Sequence, residues 1–105
     1  MSDKPMQPNA AAVIECAIRA APQSGYLRID ATVRSVRPAR GQYRFLIDKQ
    51  SSTGRSSNTQ SGSFVLQPGQ EQVLTTIILD RSAADHYRAE LTLESDQGRL
   101  TCTSP

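Results

Sequence analysis

The most constraining feature of this sequence is a strict two-residue alternation between Tyr26 and Val36. Leu27, Ile29, Ala31 and Val33 alternate with Arg28, Asp30, Thr32 and Arg34. Side chains of an extended strand point to opposite faces in turn, so such a segment buries one face and wets the other. A second layer must then cover the apolar face.

Shorter versions of the pattern recur. Val13 to Arg19 sets Ile14, Cys16 and Ile18 against Glu15, Ala17 and Arg19. Gln42 to Lys49 turns Tyr43, Phe45 and Ile47 inward, and Gly62 to Gln67 carries Phe64 and Leu66. Tyr87 to Glu94 sets Tyr87, Ala89, Leu91 and Leu93 against Arg88, Glu90, Thr92 and Glu94, and Arg99 to Thr103 follows. Gln72 to Asp80 does not alternate strictly, which a bulge near Thr75 and Thr76 would explain.

Pro22 with Gly25, Pro38 with Gly41, Pro68 with Gly69, and Asp96-Gln97-Gly98 read as breaks between strands. Gln50 to Ser61, rich in Ser, Thr, Asn and Gln, reads as a long mobile loop. Arg81 to His86 has room for one helical turn capped by Asp80 or Ser82. Residues 1–12 read as a flexible leader and residues 13–105 as one domain. Seven short strands in that length predict an all-β, immunoglobulin-like β-sandwich. Tyr87, opening the sixth strand, reads equally as a tyrosine corner or as an ordinary inward tyrosine.

The chain has 105 residues, 37% of them hydrophobic and none Trp, so its core is thin and any added constraint counts. Cys16 and Cys102 lie inward on the first and last strands. In such a sandwich these strands can lie side by side, so a disulfide is expected, with two buried thiols as the alternative. Neither Cys has the Cys-x-x-Cys spacing that reactive-thiol chemistry uses.

The net charge of +2 is too mild for an obligate nucleic-acid binder. No apolar run approaches the length of a membrane span, so no membrane insertion is expected. Met1 to Ala12 lacks the basic and apolar regions of a signal peptide. With the export-like remainder, this reads as a mature exported chain whose leader has been removed.

Enzyme chemistry has little to work with. His86 is the sole histidine and reads as an exposed turn residue. Glu90 and Glu94 lie on an outer strand face, and no Gly-rich phosphate loop occurs. No catalysis, metal or cofactor is expected. Ten of the twelve basic residues are Arg. The guanidinium group offers five donors in a flat fork, suited to carboxylates and amides. Arg28 and Arg34 face outward on the second strand, Arg44 on the third, Arg88 on the sixth and Arg99 on the seventh. The third, sixth and seventh strands share a sheet in such folds, so Arg44, Arg88 and Arg99 are expected on one face. The competing reading is a solvated face balanced by Asp48, Glu90 and Glu94.

The run from Gly54 through Asn58, Gln60, Gly62 and Phe64 to Pro68-Gly69-Gln70 resembles the Ser- and Gln-rich stretch of the curli-assembly proteins of the CsgC/CsgH type. The likeness continues through Val73-Leu74-Thr75, Ile77, Leu79, Asp85 and Arg88 to Leu93, and covers roughly Tyr26 to Thr103. The terminal-strand cysteines look closer to the CsgH branch. The CsgC branch carries a Cys-x-Cys before its third strand, and Pro38 to Arg44 holds no Cys, which removes a thiol redox role.

The resemblance implies a periplasmic, monomeric immunoglobulin-like protein that transiently binds the unfolded, amyloid-forming curli subunit and stops premature fibre formation. Arg28, Arg34, Arg44, Arg88 and Arg99 are the candidate client-binding residues, and a strand added at an exposed sheet edge is a second route. The Ser56 to Ser63 segment could also act as a decoy. The rival is an immunoglobulin-like structural or adhesive subunit of a surface assembly, which would self-associate. A carbohydrate-binding module is a weaker rival, since Tyr26 alone is available as an exposed aromatic.

Overall fold

The computed structural model describes residues 13–51, 54–80 and 86–104. They form seven strands: β1 (Ile14–Gln23), β2 (Tyr26–Ser35), β3 (Ala39–Ser51), β4 (Gly54–Leu66), β5 (Glu71–Asp80), β6 (Tyr87–Ser95) and β7 (Gly98–Ser104). All pairings are antiparallel, in a three-stranded sheet of order β1-β2-β5 and a four-stranded sheet of order β4-β3-β6-β7. The expected all-β sandwich is present, with the third, sixth and seventh strands in one sheet.

The inward residues of the alternating strands make one core. Leu27, Ile29, Ala31 and Val33 of β2 meet Phe45 and Ile47 of β3 and Ala89, Leu91 and Leu93 of β6. Ala39, Phe64, Leu66 and Ile77 complete it, with Ile14, Cys16, Ile18, Tyr43 and Leu100 among the residues packed at its margins. β1 and β7, edges of different sheets, lie against each other, and the Cys16–Cys102 disulfide joins them with Cα atoms 6.2 Å apart. The bridge therefore ties sheet to sheet.

The structure corrects several sequence readings. Within Gln50 to Ser61 the described residues are strand and not loop: β3 runs to Ser51 and β4 starts at Gly54, giving a ladder of consecutive pairs without a register shift. Residues 54–59 are exposed on both faces. A strand wet on both sides has no apolar alternation, so its sequence reads like a loop. Pro22 does not end β1 but lies within it opposite Leu27. It is tolerated because β1 is an edge strand and needs no donor on its open side.

Gly41 is likewise inside β3. A Cβ there would lie 2.1 Å from the Glu94 carbonyl oxygen, so close approach of the β6 backbone, and not a turn, requires the glycine. The β5 irregularity is real but sits at Leu74: Ala31 pairs with Thr75 and Thr32 with Val73, leaving Leu74 as the extra residue. This shift puts Leu74, Ile77 and Leu79 against the core and leaves Val73 and Ile78 exposed.

The leader at residues 1–12 and most of the helical turn expected at Arg81 to His86 lie outside the described residues. Tyr87 is half-buried against the core. The upstream residues that a corner tyrosine would bond also fall outside the described residues.

Candidate functional site

The two sheets place the five candidate arginines on opposite outer faces. On the three-stranded sheet, Arg28 Nε donates to Asp30 at 3.1 Å and Arg34 lies 3.6 Å from Glu15 across the β1–β2 pairing. Arg19, also on this face, grips Glu71 through both guanidinium nitrogens at 2.8 and 3.3 Å. Asp30 also accepts from Thr76 Oγ1 at 2.7 Å. That hydrogen bond, aided by Arg28 and opposed by partial burial, holds the Asp30 carboxyl below its usual range. The positive charges of this face are largely answered in place.

The four-stranded sheet differs. Its cross-strand register puts Arg44 beside Thr92 and Ser61, Arg88 beside Asp48, and Arg99 beside Glu94. Arg99 lies 3.9 Å from Glu94. Asp48 accepts a hydrogen bond from Ser57 Oγ. Among the described residues, no ion pair involves Arg44 or Arg88. Arg44 and Arg99 border one shallow depression with Gln42, Ser61 and Glu90, and Arg88 borders the next with Leu46, Asp48 and Glu90.

Arg44, Arg88 and Arg99 thus share a face, as expected, while Arg28 and Arg34 are a sandwich thickness away. Arg40, which in sequence adds charge to a loop before the third strand, lies instead within β3 opposite Val65, and Arg55, which the sequence reading missed, lies opposite Gln50; both are on the same outer surface as Arg44. Reading Gln50 to Ser61 as a loop hid the register that would have revealed Arg55. His86 is exposed. Among the described residues, no group of His, Cys, Asp and Glu has a metal-holding arrangement.

The family model for the CsgH protein matches residues 15–104, nearly the whole described sandwich. The chain belongs to the CsgH family. It is a curli-assembly protein of the CsgC/CsgH type. Among solved structures, it is similar to the solution structure of CsgH from R. palustris, with 27% identity and a TM-score of 0.74. That match covers 86% of this chain and 89% of the other. It is also similar in fold to the E. coli curli protein CsgC, with 20% identity, a TM-score of 0.76, and 88% and 98% of the two chains covered. No curated protein sequence matches it significantly. The Cys16–Cys102 bridge and the cysteine-free Pro38 to Arg44 stretch characterise this CsgH-family chain.

Proposed function

We propose that this CsgH-family protein acts in the periplasm as a chaperone-like inhibitor, transiently binding the unfolded, amyloid-forming curli subunit and delaying its assembly. It acts as a monomer by binding and not by catalysis. The observation that carries the reading is the contrast between the two faces. The three-stranded sheet pairs its charges, whereas the four-stranded sheet presents Arg44 and Arg88 without an ion pair among the described residues.

Exposed guanidinium groups on a rigid sheet offer flat, multiple donors to carboxylates and amides of a disordered chain. Such contacts are individually weak, which suits a client that must be released. They also speed encounter. Within the five candidates, Arg44 and Arg88 carry most of the capture, Arg99 is partly occupied by Glu94, and Arg28 and Arg34 contribute least.

The test is a thioflavin time course of a curli-type subunit with this protein added well below equimolar. The reading requires a lengthened lag. An unchanged lag would overturn it, and growth of the protein into oligomers with rising concentration on size exclusion would favour an adhesive subunit instead.

A further inference from the structure

We infer that the open edge of β4 is a strand-addition site for an extended, amide- and hydroxyl-rich polypeptide segment carrying no positive charge. The inference rests on the proposed binding of an unfolded client and gives that binding a second, backbone-directed locus.

Among the described residues the two sheets have four edges, and three of them are guarded. β1 contains Pro22, which has no N–H to offer. β7 has seven residues and is bound to β1 through the disulfide. β5 is bulged at Leu74, and the Leu74 carbonyl is already occupied by Tyr43 Oη, which donates to it at 3.3 Å. Bulges, prolines and charges are the usual protection against unwanted pairing. β4 has none of the usual devices between Ser56 and Leu66: no Pro, no charged residue and no register shift over its ladder with β3.

The backbone phase of β4 follows from its neighbour. In an antiparallel ladder a residue aims its N–H and C=O to the same side, and successive residues alternate. On β3, Gln50 N–H donates to the His86 carbonyl at 2.9 Å, and the Arg40 carbonyl accepts from Asp96 N–H at 3.2 Å. Both bonds run toward β6 and β7, at opposite ends of an unbroken register. The even-numbered residues of β3 therefore face β6, and the odd-numbered ones face β4. Ser56, Asn58, Gln60 and Gly62 lie opposite odd residues and are held in the ladder. Arg55, Ser57, Thr59, Ser61, Ser63 and Val65 lie opposite even residues and turn their backbone donors and acceptors to the open edge.

The chemistry of the occupant follows from what surrounds this edge. Residues 54–59 are exposed on both faces, so an added apolar strand would gain no covering layer there. Hydroxyl and amide side chains of an added strand would instead stand beside Ser57, Thr59, Asn58 and Gln60 in the ladders that polar strands form. Arg40, Arg44 and Arg55 flank β4 on its own sheet. Pairing β4 with its copy in a second molecule would bring these clusters together. An uncharged or acidic segment meets no such repulsion.

The test uses the intact, oxidised protein and a synthetic peptide of Ser, Gln, Asn and Gly. Backbone amide shifts are mapped during titration, and Ser57→Pro/Thr59→Pro is compared with wild type and with Asn58→Pro. Proline at 57 and 59 removes open-edge donors and spares the β3 ladder, while proline at 58 breaks a ladder bond. The expected result is perturbation strongest at the amides of residues 55, 57, 59, 61 and 63, lost in the double variant at near-native Tm, with a lower Tm for Asn58→Pro. No perturbation at saturating peptide, or perturbation confined to another edge or to the Arg44 and Arg88 face, would overturn the inference. Shifts at the β4 amides that grow with protein concentration alone would assign the edge to a second copy and overturn the proposed occupant. A double variant that keeps the fold and still lengthens the fibre lag leaves the chaperone reading standing and removes the edge. Edge perturbation by the peptide without any wild-type lag does the reverse.

Discussion

Tyr43 shows how much one side chain holds in a sandwich with few aromatics. Its ring lies over Gly62, the residue opposite it on β4, so that a Cβ at Gly62 would come within 2.9 Å of the ring. Its hydroxyl donates to Leu74 at the β5 bulge, linking the two sheets on the side away from the disulfide. Tyr43→Phe should cost about 1 kcal/mol, a typical net hydrogen bond. Gly62→Ala should cost about 1–3 kcal/mol, because the ring must move from its seat. Urea melts measure both, and a Gly62→Ala protein as stable as wild type would show that the ring does not depend on that gap.

Asp30 makes a prediction about pH. Its carboxyl is held below the ordinary value of 3.8, chiefly by the Thr76 hydroxyl. A group with a depressed folded pKa stabilises the fold above its unfolded value, and that contribution disappears as pH falls through the folded value. Stability should therefore decline below about pH 4, and Asp30→Asn should decline less steeply over the same range. Equal acid limbs in pH-dependent melts would contradict the Thr76–Asp30 assignment.

At the scale of elements, what could be read from the chain depended on whether a strand has a wet and a dry face. β2, β3 and β6 have both, and their inward residues Ile29, Phe45, Ile47, Leu91 and Leu93 are buried where the alternation puts them. The outer half of the β3–β4 hairpin has two wet faces. Its Ser, Asn and Gln residues carry no burial signal, although their backbone bonds form a regular ladder. Gly41 and Pro22 misled for a related reason. A glycine for close packing and a proline on an edge look, in sequence, like residues that end strands. The shared face of Arg44, Arg88 and Arg99 was legible because strand order followed from the fold class. The ion pairs that set Arg28 and Arg34 apart were not, because they depend on the register between β1, β2 and β5. The phase derived for β4 is testable in the free protein. Amide hydrogen exchange should alternate, fast at residues 57, 59 and 61 and slower at 56, 58 and 60. Uniform exchange along β4 would mean the hairpin ladder is not formed in solution.

For the molecule as a whole, the sandwich is fastened differently on its two sides. One side carries the Cys16–Cys102 bridge, closing a sequence separation of 86 residues. The chain-entropy model gives such a closure at most about 4.5 kcal/mol. Reduction, or Cys16→Ser with Cys102→Ser, should lower Tm by more than about 10 °C, read by thermal unfolding. A fall of a degree or two would mean that packing of β1 on β7 holds that side without the bond. The other side, where β4 and β5 meet, relies on Tyr43 and on the contact of Thr75 with Gln60. The result is a stapled frame that holds one arginine face ion-paired and presents the other with charge to spare.

The most direct measurement is a side-by-side fibre-lag assay of two charge-removing variants, Arg44→Gln/Arg88→Gln and Arg28→Gln/Arg34→Gln, each below equimolar with a curli-type subunit. The account predicts that the first pair loses most of the wild-type delay while the second pair retains it. Equal activity of the two, or loss only in the second, would contradict the claim that Arg44 and Arg88 on the four-stranded sheet capture the client.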